Sequence, residues 1–233
     1  MNLKTSFFIL FLLSFIENGN AQAGGYTFAE TNNSFQEASG MSATLVNITT
    51  REKIKTTGSE YVDESFREAT VNNGSKYFDL RYNNYTGLFE YKKSATETVS
   101  LSKESNTAFS FKDGKTYLLK KYKANKTEKE DYLQIIGSQD YKIKLYKLES
   151  IEFIDYKEAL SSYQEEKLPE FKLKKPLYFI EYENTVNPIQ KSKDLEKIFP
   201  DHSKEIKKFI SQKNIDFNSD DMILLQNFLN SIL

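Results

Sequence analysis

From Glu60 onward, apolar and polar residues alternate in short runs, the period of half-buried β-strands. Phe66 to Val71 leads into Asn72-Asn73-Gly74, a turn in which Asn and Gly tolerate positive φ. Tyr77 to Tyr82 follows, with Phe78, Leu80 and Tyr82 on one face and Asp79 and Arg81 on the other. Residues 83–87 turn the chain again, and Leu88 to Lys92 returns. Phe109-Ser110-Phe111 joins Tyr117–Tyr122 through an Asp113-Gly114 hairpin signal. Tyr132 to Ile136, Tyr141 to Leu148, Ile151 to Tyr156 and Leu177 to Tyr182 complete the strand set. Tyr141, Ile143 and Leu145 share a face opposite Lys142 and Lys144; the phase then slips at Tyr146 and Leu148, which predicts a bulge or a strand end. The expected product is mainly β: an antiparallel, meandering, curled or barrel-like sheet of about eight strands with short connections. Residues 158–176 are too long for a plain loop, and Lys157 to Glu166 predicts a short helix.

The last forty residues switch to a period of 3.6. Leu195, Ile198 and Phe199 stand at i, i+3, i+4, and Ile206, Phe209 and Ile210 repeat the spacing. Pro200 divides the two helices, because it cannot donate to the first. A third helix opens at Asn218-Ser219-Asp220-Asp221, with Asn218 as acceptor for a free amide and the two aspartates in the first turn. Its apolar stripe is Leu225, Phe228, Leu229 and Ile232. Such short helices are marginal alone and are expected to form a C-terminal cluster on the sheet.

The N-terminus has a different character. Lys4 precedes an apolar run from Phe7 to Ile16, broken only by Ser14, and Ala21-Gln22-Ala23 has the small-x-small pattern cut by signal peptidase. A helix of ten residues rises about 15 Å, roughly half a bilayer core, so the run is too short for a lasting span. The expected organisation is a signal peptide over 1–23, a loosely ordered segment over 24–58, a β domain over 59–190 and a helical segment over 191–233. Within 24–58 only Thr44 to Ile48 looks strand-like. Export, to the periplasm or beyond the cell, follows as an expectation.

Composition narrows the chemistry more than it defines it. The 32 basic and 33 acidic residues nearly cancel, so no overall field favours nucleic acid or an anionic membrane. From Lys112 to Lys147 there are ten lysines against five acids. Most alternate with apolar residues, as on a solvated strand face that resists edge pairing, the other reading being an anion-binding patch. The absence of cysteine removes disulfides, thiolate catalysis, cysteine metal sites and the acylated cysteine of a lipoprotein. No second apolar stretch of spanning length follows the first.

Candidate chemistry is sparse. Gly114-Lys115-Thr116 resembles the end of a phosphate-binding loop, but Phe109 occupies the position of the upstream glycine. His202 is the only histidine and reads as an exposed first-turn residue. Glu165-Glu166 and Asp220-Asp221 are adjacent pairs, which point different ways, whereas paired-carboxylate catalysis needs groups facing across a cleft. No calcium loop is present, and no cofactor or metal site is expected. Tyr77, Tyr82, Tyr85 and Tyr91 surround one hairpin and are the candidate ligand-facing aromatics, since exposed rings can stack on sugars or peptides.

Three stretches carry a resemblance: Gly58-Ser59-Glu60-Tyr61-Val62-Asp63-Glu64-Ser65-Phe66, Leu80-Arg81-Tyr82-Asn83, and Leu195 to Phe217 with Phe199-Pro200-Asp201 inside it. In this order the chain resembles a family of exported proteins of Bacteroidota-type Gram-negative bacteria. The resemblance implies export, a bacterial envelope and a layout of sheet followed by helices, and it transfers no activity. Two function classes remain. One is a non-catalytic envelope protein that binds or scaffolds a protein, peptide or glycan; the other is a carboxylate-based hydrolase acting on envelope glycans or peptides.

Overall fold

A computed structural model describes residues 28–37, 41–48, 56–124, 126–157 and 167–233, the first two ranges as backbone only. The expected signal peptide, residues 24–27, 38–40 and 49–55 of the expected loose segment, and all but the first residue of the expected helix at 157–166 lie outside these residues; the rest of that segment includes two paired strands. The strands are β1 (Phe28–Glu37), β2 (Met41–Ile48), β3 (Arg67–Val71), β4 (Phe78–Asn83), β5 (Leu88–Lys92), β6 (Thr98–Leu101) and β7 (Ala108–Phe111). They continue with β8 (Thr116–Ala124), β9 (Thr127–Ile136), β10 (Lys144–Leu148), β11 (Ile151–Ile154), β12 (Glu170–Leu173), β13 (Leu177–Tyr182) and β14 (Thr185–Ile189). Helices α1 (Ser192–Ile198), α2 (Ser203–Lys213) and α3 (Asp221–Ile232) close the chain, with a 3₁₀ turn at Pro200–His202 between the first two.

The protein is therefore mainly β, with a curled antiparallel sheet and three C-terminal helices. The main sheet runs β1-β2-β6-β5-β4-β3-β7-β8-β9-β10-β13-β14, and β11 and β12 form a small second sheet. Turns follow local chemistry: Asn72 and Asn73 have φ of 49° and 58°, and the two-residue β13–β14 turn places Glu183 and Asn184 at 49° and 61°. Strands β6, β12 and β14 escape a reading by periodicity. The first has consecutive buried residues, and β14 contains Pro188, tolerated because this strand ends the sheet.

The sheet is filled on opposite faces at its two ends. Ala69, Phe78, Leu80, Phe89, Phe109, Leu119 and Tyr132 make the first core, under β3 to β9. Phe89 on β5 comes within 5.0 Å of Tyr132 on β9, ring centre to ring centre, which shows how tightly this end curls. The other face of β8 and β9 supplies Tyr122 and Leu133 to a second core with Tyr146, Phe179 and Val186. There β14 curls back against β8, forming a five-stranded, barrel-like lobe of β8, β9, β10, β13 and β14. Beyond Leu118, β8 has no ladder partner on its β7 side, which leaves room for this approach.

The third core lies outside that lobe. Ile143, Leu145, Tyr178, Ile180 and Ile189 pack against Leu195, Ile206, Met222, Leu225 and Leu229 of the helices. Strands β10 and β13 are thus buried on both faces; of the bulge or strand end expected at Tyr146 and Leu148, the strand end is found, since β10 stops at Leu148, and the bulge is not. Their register is continuous, Leu145 facing Ile180 and Tyr146 facing Phe179, and the apparent phase slip is the run of apolar residues that a doubly covered strand requires. The strand starts only at Lys144, because the Ile143 N–H is turned to Asn230 Oδ1 at 3.0 Å. Gln226 Nε2 also donates to the Ile143 and Ser138 carbonyls, at 3.0 and 2.9 Å. Gly137 (φ +67°) lies against that amide, where a Cβ would collide with Gln226 Oε1.

The opening of α3 also differs from expectation. Asn218 does not cap it; its side-chain amide donates to Asp216 Oδ1 at 3.0 Å. The Ser219 hydroxyl accepts from the Asp221 N–H at 3.2 Å, and Asp220 Oδ1 accepts from the Tyr178 hydroxyl at 3.0 Å. The tertiary bond to β13 holds Asp220 just before the first turn. Phe209 and Phe228 stack at 4.0 Å and join α2 to α3.

The second sheet is pinned to the β4–β5 turn. Asn84 accepts from the Val62 N–H and donates to the Glu149 carbonyl, both at 2.9 Å, while its own carbonyl accepts from the Ile151 N–H at 3.0 Å. Thr57 pairs beside β12, donating to Pro169 and accepting from Phe171. Among the described residues no helix is long and apolar enough to cross a membrane.

Candidate functional site

The four tyrosines around the β4–β5 hairpin do not share a surface. Tyr82 is buried, its ring packed on Phe89 and Tyr117 at 4.9 and 5.5 Å. The alternation that puts Tyr82 on the face of Phe78 and Leu80 is the same alternation that buries it. Tyr85 is half-buried against Phe153 and Phe171 of the second sheet, and Tyr91 meets Phe78 edge-on at 5.8 Å. Only Tyr77 is well exposed, at 49%, and Lys112 Nζ sits over its ring at 4.4 Å.

The face opposite Tyr82 carries a polar network instead. Arg81 lies between the Tyr61 and Phe66 rings, 4.0 and 4.4 Å from their centres. Its Nε and Nη2 both reach Glu90 Oε2 at 2.8 Å, and Glu90 is only 5% exposed. Asn83 Nδ2 donates to Glu90 Oε1 at 3.0 Å, and the Tyr61 hydroxyl donates to the same carboxylate. Burial, then the Glu90 charge, pushes the Tyr61 hydroxyl far above its ordinary range. This network is internally satisfied and anchors the 59–66 segment to the sheet. A nearby cleft among Asp63, Arg67, Asp113 and Tyr117 holds about 50 Å³, room for a water or two.

The remaining sequence candidates resolve into structure. His202 Nδ1 is 3.2 Å from Glu205 Oε2 on the same helical turn. Gly114 and Lys115 belong to the β7–β8 hairpin. Asp220 and Asp221 organise the start of α3, and Glu165-Glu166 lies outside the described residues. Among the described residues no group of three or more histidines, aspartates or glutamates is gathered for a metal ion. Within the lysine-rich stretch, Lys112 pairs with Glu68, Lys120 with Glu181 and Lys147 with Glu149.

The richer site is the mouth of the five-stranded lobe. A groove of about 410 Å³ opens there, lined by Tyr141, Lys142 and Lys144 at the start of β10 and by Glu181, Tyr182, Glu183 and Asn184 at the β13–β14 turn. The ladder places Lys144 directly opposite Glu181. Glu181 Oε2 accepts from the Tyr146 hydroxyl at 2.6 Å and from Lys120 Nζ at 2.8 Å. Lys120 Nζ also lies 5.3 Å from the centre of the Tyr146 ring. Burial pushes the Glu181 carboxyl up, but hydrogen bonds from Lys120 and Tyr146, with the Lys120 and Lys144 charges, outweigh it and hold the group below the usual range. The wall is thus an ionised carboxylate fixed from below.

Tyr182 packs on Phe199 of the helical layer at 5.1 Å, so one wall is braced by the third core. The Glu183 charge pushes the Tyr182 hydroxyl up. Tyr141 is 39% exposed, and Lys142 Nζ is tied to the Leu233 carbonyl at 3.0 Å. Sequence reasoning overlooked this site because its walls lie about forty residues apart and meet only through the β10–β13 ladder. The alternation of Lys142 and Lys144 with Ile143 and Leu145 was its one legible trace. Compared with protein-family models, with curated proteins and with solved structures, the chain matches none.

Proposed function

We propose that this chain is an exported protein of the bacterial cell envelope that works by non-catalytic binding or scaffolding, with the lobe mouth as its binding place. Export is supported by the Lys4 n-region, the apolar run Phe7–Ile16 and the Ala21-Gln22-Ala23 cleavage pattern. The observation that carries the binding reading is the groove of about 410 Å³, set at the mouth of a barrel-like lobe. A braced wall and a pre-positioned carboxylate lower the ordering cost of binding. Glu181 is held ionised by Lys120 and Tyr146, which suits an acceptor and makes it a poor proton donor for hydrolysis.

Two measurements test the proposal. Sequencing the native protein from cell fractions is expected to find Gly24 as its first residue, outside the cytosol; an intact Met1 in cytosolic material would remove the envelope role. Envelope extract passed over the immobilised mature chain is expected to leave a component that Tyr141→Ala fails to retain. Equal retention by both proteins would remove the mouth from the function.

A further inference from the structure

We infer that the lobe mouth is a saccharide subsite that takes a neutral sugar, with Tyr141 as the stacking face and Glu181, Lys144 and Asn184 as partners for its hydroxyls. This rests on reading the mouth as the binding place. Charge comes first. Lys142, Lys144, Glu181 and Glu183 line one groove, with Lys144 and Glu181 side by side in the ladder, so its lining is balanced. A strongly anionic ligand would meet two carboxylates, and a strongly cationic one two ammonium groups; each would lose solvation without a matching field. A neutral polar ligand meets no such like-charge repulsion and can hydrogen-bond both kinds of group.

Hydrogen-bonding capacity comes second. Glu181 uses Oε2 for both of its bonds, and no described group donates to its Oε1. No described group hydrogen-bonds to Lys144 Nζ or to the Asn184 amide. The groove therefore offers a fixed acceptor, an ammonium donor and an amide that does both. Vicinal sugar hydroxyls, each both donor and acceptor, require that mixture. The third observation is the exposed Tyr141 ring beside these groups, an amphipathic face for the C–H side of a pyranose. An apolar peptide side chain would cover Glu181 Oε1 and the Asn184 amide without offering either a hydrogen bond.

The test is calorimetric titration of the purified mature chain with neutral trisaccharides of gluco, galacto, manno and N-acetylhexosamine configuration. A uronate-containing trisaccharide and a zwitterionic dipeptide serve as comparators. At least one neutral sugar is expected to bind more tightly than both comparators. Tyr141→Ala is expected to weaken it about tenfold, and Asn184→Gly about threefold. Asn184 has φ of 61°, which glycine adopts freely, so that variant keeps the turn intact. An unchanged unfolding temperature in Asn184→Gly then separates lost binding from lost structure. Absence of binding by every neutral sugar, preference for either comparator, or binding indifferent to Tyr141→Ala overturns the saccharide assignment. If sugars fail while Tyr141→Ala still abolishes retention of an envelope component, the binding role of the mouth stands and only the ligand class falls.

Discussion

Tyr132 and Leu133 are neighbours on β9 and both are fully buried, yet they belong to different cores. One side chain meets Phe89 and Phe109 under the β3–β9 end; the other meets Tyr122, Tyr146 and Phe179 inside the lobe. The strand is therefore a wall shared by two compartments, and damage to either should be felt through it.

Leu133→Ala is expected to cost about 2–5 kcal/mol, the range for emptying a buried leucine site. Phe89→Ala is expected to cost about 3–5 kcal/mol by opening the other core. Urea unfolding of each variant measures this, and the loss in the double variant is expected to depart from the sum of the single losses, because β9 is shared; strict additivity would show that the compartments respond independently.

Arg81→Ala should be among the more damaging surface-proximal changes. It leaves the Glu90 carboxylate buried without its fork, at an expected cost of about 3–5 kcal/mol. Arg81→Lys should recover only part of this, since an ammonium cannot make the bidentate contact or lie flat between Tyr61 and Phe66. Adding Glu90→Gln to Arg81→Ala should cost less than the sum of the single changes, as read from a double-mutant cycle.

Gly58→Ala tests the anchoring of the second sheet. Gly58 has φ of +78°, and a Cβ there would run into the Phe171 carbonyl oxygen. The expected loss is about 2 kcal/mol or more. Faster amide exchange should appear in β12 before β9, because β12 pairs beside Thr57.

Acid should weaken the lobe through Glu181. Its folded-state carboxyl is held below the ordinary value, so its contribution is complete at neutral pH and fades as pH falls through the carboxylate range. Glu181→Gln is expected to cost about 1–3 kcal/mol at pH 7 and to flatten stability between neutral and acidic pH. Denaturant midpoints across pH check both expectations.

Alkali should act through the tyrosines. Burial raises the hydroxyls of Tyr82, Tyr117, Tyr122, Tyr132, Tyr146 and Tyr178 above the ordinary phenol value of about 10. These groups stay protonated in the folded state while the unfolded chain ionises, so stability is present below pH 10 and is lost above it. Each such tyrosine contributes a slope of about 1.4 kcal/mol per pH unit. Phenolate absorbance should rise together with the loss of circular dichroism; early, independent ionisation of these rings would contradict their burial.

Local patterning made much of this architecture readable. Leu88–Lys92 alternates and forms β5 with those ends, and the Asp113-Gly114 signal forms its hairpin. The helical stripes at Leu195 and Ile206 lie in α1 and α2, divided at Pro200. Such features depend on side-chain period and turn dihedrals, which a few neighbouring residues decide.

What the sequence could not decide was which face meets what. Tyr82 has the character of a ligand-facing ring and lies in a core, because the sheet curls over it. Tyr146 looked out of phase until β10 proved to be covered on both sides. Glu181 and Lys144 acquire their role only when the ladder sets them side by side and Lys120 reaches in from β8. Periodicity reports that a residue is buried or exposed, whereas the curl of the sheet chooses its partners, and that choice rests on contacts between strands far apart in the chain.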